Sequence, residues 1–195
     1  MNYKYWYFES VLSNKFINQI NKLAKLEKKN LGKVTKESIE DKKMRNSFIC
    51  FLSDQIIFDA IHPYIHVANK NAGWNFQWDR TEHAQYTEYN KNQHYGWHKD
   101  AWDEPYAKVD DPLSYGKIRK LSVSCSLNDS KEYKGGELQF DFSTPLEKNK
   151  IITCKEILKK GSIVVFPYNT WHRVTPVTKG IRRSLVLWNL GNPYV

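Results

Sequence analysis

Residues 166–188 read FPYNTWHRVTPVTKGIRRSLVLW. The segment leaves a β-branched run, GSIVVFP (161–167), at Pro167, whose ring removes a ladder donor and ends a strand. His172 follows in a turn-rich stretch. Ten residues further on, Arg182 opens a second strand, RRSLVLW. Alternation along that strand puts Arg182, Ser184, Val186 and Trp188 on one face, and Arg183 and Leu185 on the other. An arginine and a serine on the face of a valine and a tryptophan point into a β interior, where a cation demands a partner. An organic dicarboxylate is a fitting one, because a guanidinium grips a carboxylate in bidentate fashion.

Upstream, HYGWHKD (94–100) holds the complementary chemistry. In a strand, His98 and Asp100 point to the same face and reach one ion, while Lys99 points away. With His172 they supply two imidazoles and one carboxylate, the facial triad of non-haem Fe(II) oxygenases, which leaves coordination positions open. Trp97 faces away from such a site and helps fix the strand. His94 is not expected to be a ligand, since i, i+4 spacing converges only on a helix.

The rest of the chain frames these two stretches. Its 195 residues are enough for one domain with a sizeable core and no disulfides. The aromatic YKYWYF (3–8) reads as an edge strand. LSNKFINQINKLAKL (12–26) carries Leu12, Phe16, Ile20, Leu23 and Ala24 at helical spacing, capped by Ser13 or Asn14. A polar loop leads to about Arg45, and SFICFL (47–52) reads as a strand. Asp54 caps a second helix through Ile56, Ile57, Ala60 and Ile61 that continues past Pro63 to about Asn69. From Gly73 the texture becomes short strands between turn residues: WNFQW (74–78), HAQYTEY (83–89), KLSVSCSLN (120–128), GELQFDF (136–142), then the two strands already described. The fold class is mainly β with N-terminal helices (α+β), with a sandwich or barrel supported on one face by helices.

Read together, the H-x-D of residues 98 and 100, the distal His172 and the R-x-S of Arg182 and Ser184 resemble the Fe(II)/2-oxoglutarate dioxygenases. GGEL (135–138) and the closing HRVTPVTKGIRRSLVLW narrow the resemblance to the prolyl 4-hydroxylase branch and its bacterial PKHD-type hydroxylases, over roughly residues 84 to 190. The resemblance implies a double-stranded β-helix (jelly-roll, cupin-like) core over about 73–191, helical support over about 9–72, and one domain across 1–195. It implies Fe(II) on His98, Asp100 and His172, 2-oxoglutarate held by Arg182, Ser184 and Tyr89, O2 as oxidant, and ascorbate as a supporting reductant. Tyr95, Trp188 and Arg119 occupy places similar to substrate-side residues of prolyl hydroxylases. The implied reaction is hydroxylation of a proline in a peptide or protein, coupled to decarboxylation of 2-oxoglutarate to succinate. One departure stands out: some prolyl hydroxylases carry a tyrosine near the distal carboxylate of 2-oxoglutarate, where this chain has only Ser122, Ser124 and Ser126 on one strand face. The acid-rich DAWDEPYAKVDD (100–111) is read as a mobile loop over the substrate.

Each residue alone has a plainer reading: a hydrogen-bonded core histidine, an arginine paired with a buried acid, a packed tryptophan. Their joint spacing favours the metal site. The same chemistry on a free amino acid, a lysyl residue or a nucleobase remains open, as does a non-catalytic basic β-sandwich binding module. His62 and His66 lack the glutamate of an H-E-x-x-H zinc helix and read as structural. No G-x-S-x-G, GxxxxGK[ST] or GxGxxG occurs, which argues against a serine hydrolase, a nucleotide-triphosphate site or a dinucleotide site. The net charge of +9 attracts anions, but acids interleave with the lysines, so nucleic acid is not the expected partner. No apolar run is long enough for a membrane span, and MNYKYWYFES does not read as a secretory signal. Cys50, Cys125 and Cys154, odd in number and without C-x-x-C, read as reduced thiols of a cytoplasmic protein. The oligomeric state is left open.

Overall fold

The computed structural model describes residues 3–32, 41–101, 104–107 and 111–193. Within them the strands are β1 Trp6–Phe8, β2 Asn30–Leu31, β3 Arg45–Asn46, β4 Phe48–Leu52, β5 Arg80–Thr81, β6 Ala84–Tyr89, β7 His94–His98, β8 Ile118–Ser126, β9 Tyr133–Gly135, β10 Leu138–Asp141, β11 Ile151–Thr153, β12 Ile163–Pro167, β13 Trp171–Val174, β14 Val177–Gly180 and β15 Arg182–Gly191. The helices are α1 Asn14–Leu26 and α2 Gln55–Asn71.

Both helices start where a side chain satisfies an orphan amide: Ser13 accepts from Phe16 N–H and Asp54 from Ile56 N–H. Pro63 lies inside α2 on its exposed side, so the carbonyl it strands faces water and the helix continues. Ile17 and Ile20 of α1 and Ile57, Ile61 and Ile65 of α2 are buried against one face of the larger sheet, on Leu121, Cys125, Leu185 and Leu187. Each such aliphatic side chain contributes roughly 1.5–3 kcal/mol of burial.

The larger sheet has eight strands in the order β1-β12-β8-β15-β6-β4-β2, with β5 also on β15. The smaller has five, β11-β10-β13-β7-β3, and β14 pairs with β9. Every pairing is antiparallel. The chain alternates between the two sheets, β10 and β11 to β12 and then β13 to β15. Side chains from the inner faces of both sheets line one cavity, a jelly-roll arrangement with the helices on the outside. YKYWYF supplies the expected edge strand β1.

One expectation is corrected. WNFQW is not a strand. Gly73 (φ 74°) and Asn75 (φ 54°) take left-handed conformations, and Asn69 holds the bend by accepting from Phe76 N–H (3.0 Å) and donating to Phe76 O (2.9 Å). The rings of Trp74, Phe76 and Trp78 pack on the core from this irregular segment, so their composition imitates a strand without making one. SFICFL supplies the expected strand β4, which joins β6 in the larger sheet, and the short β3 before it joins β7 in the smaller.

Candidate metal centre

His98 closes β7 and His172 is the second residue of β13, where the two are cross-strand partners. His172 was expected in a turn. The turn is tighter than that, closed by Thr170 N–H on Pro167 O (3.0 Å), and the histidine already belongs to the sheet. Asp100 lies just beyond β7 rather than within it. Its N–H donates to Tyr168 O (3.1 Å) and its carbonyl accepts from Arg119 Nη1 (2.6 Å).

The three side chains converge. Asp100 Oδ1 is 3.5 Å from His98 Nε2, and Oδ2 is 3.5 Å from His172 Nε2. One donor atom from each residue lies within 4.8 Å of the others, and no second such group occurs among the described residues. Adjacent ligands about 2.1 Å from one octahedral ion stand about 3 Å apart, close to this spacing. Each ring is oriented by the carbonyl two residues before it: His98 Nδ1 to Gly96 O (2.8 Å) and His172 Nδ1 to Thr170 O (2.9 Å). With Nδ1–H donating, the Nε2 lone pairs face the carboxylate and are ready for a cation.

The electrostatics agree with a metal role. Burial pushes His172 down to about 4, and neighbouring His98 adds to it, so its imidazole is neutral at neutral pH. Burial alone would raise the Asp100 carboxyl, but His172, His98 and Arg119 outweigh it and hold the group well below the usual carboxylate range. Two imidazoles and one carboxylate are the donor set that suits Fe(II).

The same cavity, about 440 Å³ with its open mouth, is lined by Arg182, Ser184, Tyr89, Tyr95 and Trp188. Arg182 is 4% exposed, donates from Nη1 to Ser184 Oγ (3.2 Å) and lies over the Tyr89 ring at 5.4 Å. No carboxylate among the described residues forms an ion pair with it. A buried guanidinium without an acid among the described residues calls for an anionic ligand. Gly136 makes room for it: at φ +63°, a Cβ there would stand 2.9 Å from Arg182 Cδ.

Tyr95 reaches the cavity by a bulge. His172 pairs with His98 and Val174 with Tyr95, so between these pairs one residue of β13, Arg173, opposes two of β7, Gly96 and Trp97. The extra residue turns Tyr95 to the side of His98, and their rings stack at 3.6 Å. Burial raises both tyrosine hydroxyls, Tyr95 to about 12, so both remain protonated donors. Trp97 takes the outer face, under Arg173 at 4.6 Å. His94 instead meets Lys43 O through Nε2 (2.9 Å).

Arg119 departs from its expected place. It is not among the cavity-lining residues. Its Nε and Nη2 are held by Glu82 and it stacks on Trp188 at 4.0 Å. The serine face is divided: Ser124 lines the cavity, Ser126 donates to Asn128 O, and Ser122 Oγ is buried with no hydrogen-bond partner among the described residues. Of the acid-rich loop, Tyr106 is anchored to Glu82 (2.9 Å), while residues 102–103 and 108–110 lie outside the described residues.

Two further polar lining residues escaped the sequence reading. Gln85 shares the inner face of β6 with Tyr89, four residues on, so alternation pointed to it. Arg45, 6% exposed and 4.6 Å over the Tyr95 ring, carried no such signal, because the two-residue β3 takes its register from β7 alone.

A family model described as the 2OG-Fe(II) oxygenase superfamily matches residues 84–189. A PKHD-type hydroxylase of Pseudoalteromonas atlantica is 34% identical over 105 residues, 53% of this chain and 41% of that one; the chain thus covers less than half of that relative. A Pseudomonas putida prolyl-4-hydroxylase superposes with a TM-score of 0.70 at 16% identity, over 95% of this chain and 92% of that one. A Trichoplax adhaerens prolyl hydroxylase, solved with a peptide fragment of the hypoxia inducible factor oxygen degradation domain, gives 0.66 at 15% identity, over 95% and 83%. At such identities the superpositions speak to the fold.

Proposed function

The chain belongs to the 2OG-Fe(II) oxygenase superfamily, and from that premise we propose that it is an Fe(II)- and 2-oxoglutarate-dependent hydroxylase acting on a prolyl residue of a peptide or protein. The observation that carries the reading is the pairing, in one cavity, of three convergent metal donors with a buried guanidinium that no acid among the described residues neutralises. We read the chain as one oxygenase domain with α1 and α2 as its support. Its three cysteines, all buried and free, fit the reducing, cytoplasmic compartment we infer for it.

In this reading His98, Asp100 and His172 hold the ion. When bound, Fe(II) with 2-oxoglutarate and O2 supplies the power to hydroxylate an unactivated C–H bond, the cosubstrate leaving as succinate and CO2. Arg182 meets the far carboxylate of 2-oxoglutarate, its position set by Ser184 and by the space at Gly136. The protonated hydroxyl of Tyr89 donates a hydrogen bond to the same molecule. Tyr95 and Trp188 give the cavity an aromatic wall suited to a pyrrolidine ring and help to exclude water. A peptide substrate is supported by the peptide seated in the Trichoplax adhaerens enzyme.

The test is 2-oxoglutarate turnover with proline-containing peptides, Fe(II) and ascorbate as reductant, read as succinate release and a one-oxygen mass gain on the peptide. Turnover on a lysyl peptide, a free amino acid or a methylated nucleic acid, with none on any proline peptide, would move the substrate assignment and leave the chemistry standing.

A further inference from the structure

Three side chains outside the cavity lining gather at the back of the Asp100 ligand. Arg119 of β8 donates from Nη1 to the Asp100 carbonyl (2.6 Å), and from Nε and Nη2 to the two carboxylate oxygens of Glu82 (2.7 and 2.6 Å). Tyr106 donates its hydroxyl to Glu82 Oε1 (2.9 Å). The Tyr106 backbone is fixed in turn, its N–H on Lys117 O (3.0 Å) and its carbonyl under Gly116 N–H (2.9 Å). The face of the Arg119 guanidinium lies 4.0 Å from the ring of Trp188, which does line the cavity.

We propose that Glu82, Arg119 and Tyr106 form a latch that fixes the Asp100 ligand and the Trp188 wall together, which makes Arg119 a positioning residue of the metal site and not a hook for substrate. The inference rests on the Fe(II) site read above. Asp100 has left the β7 ladder, so its peptide depends on two contacts: its N–H on Tyr168 O, and its carbonyl on Arg119. A ligand carboxylate is only as well placed as the backbone carrying it, and partners behind a ligand typically change metal affinity by about 10–100-fold. Of the five N–H donors of a guanidinium, three are committed here, and Glu82 offsets the charge that an anionic substrate would seek. One ion pair therefore ties both Asp100 and Tyr106 to the body of the sheet.

The test compares wild type, Arg119→Lys and Tyr106→Phe by Mn(II) binding, followed by EPR of the free ion, and by 2-oxoglutarate binding to the Mn(II)-loaded protein. Arg119→Lys keeps the charge and loses the fork; its Mn(II) Kd is expected to rise about 10-fold or more, with 2-oxoglutarate Kd at saturating Mn(II) within about twofold of wild type. Tyr106→Phe removes one hydrogen bond without exposing a buried charge, and a rise of about 2–5-fold in Mn(II) Kd is expected, from the ordinary net value of a hydrogen bond. If Arg119→Lys does not fold, Tyr106→Phe decides by itself. Mn(II) Kd values equal to wild type in the folded variants would overturn the latch while leaving the metal site in place. A wild-type protein that binds no Mn(II) at all would remove the metal-site reading, and the latch with it.

Discussion

His98 and His172 meet one requirement in one way. Each ring donates Nδ1–H to the carbonyl two residues before it, so the tautomer that a metal needs is set by local backbone and not by a distant acid. Replacing His172 by Ala should therefore abolish Mn(II) binding in calorimetry while the fold, read by circular dichroism, persists. Arg182→Ala should raise the 2-oxoglutarate Kd at least about 10-fold, the loss of a charge-assisted contact, with Mn(II) Kd little changed. Without metal, His172 also makes the protein acid-sensitive. Its folded value, about 4, lies below the ordinary 6.5, so between those pH values the unfolded chain takes up a proton that the native site refuses. Stability falls as pH drops through that window, by up to about 3 kcal/mol, and denaturant titrations at pH 7 and pH 4.5 measure it. Mn(II) at pH 7 should widen the difference, because the ion binds the same nitrogen. At this scale the sequence was readable wherever strict alternation holds: Arg182, Ser184 and Trp188 on β15 follow from period two alone.

At the scale of elements, legibility ends where the backbone departs from ideal periods. A strand without irregularity would turn Tyr95 and His98 to opposite faces, since they are three apart; the β7 bulge brings their rings together. Arg119 is the second residue of β8, but only the tertiary structure shows that Glu82 and the Asp100 carbonyl occupy its fork. WNFQW has strand composition, yet two left-handed residues and the Asn69 clasp bend it. GGEL shows the reverse, a short motif with a legible physical reason. Gly135 and Gly136 both have positive φ, and a Cβ on Gly136 would press on Arg182 Cδ. Gly136→Ala should cost roughly 1–3 kcal/mol of stability from the left-handed backbone. It should also weaken 2-oxoglutarate binding more than Mn(II) binding, which thermal denaturation and paired titrations would show.

For the whole molecule, the two helices and the larger sheet form an apolar support, and the polar groups that matter gather between the two sheets. The family-like stretch lies almost wholly in β6 to β15, and Arg45 shows its limit: a cavity residue contributed from outside that stretch by a two-residue strand. Because ion and keto-diacid are expected to bind only the folded cavity, Mn(II) with 2-oxoglutarate, each at about 100 times its Kd, should add about 5 kcal/mol and raise Tm by roughly 10–20 °C. The most direct measurement is an anaerobic calorimetric titration of 2-oxoglutarate into the protein with and without Mn(II), in wild type, His172→Ala and Arg182→Ala. The account predicts one molecule bound per chain in the wild type, dependent on Mn(II), absent in His172→Ala and weakened at least about 10-fold in Arg182→Ala. Binding that is indifferent to the ion, or unaffected by loss of Arg182, would contradict it.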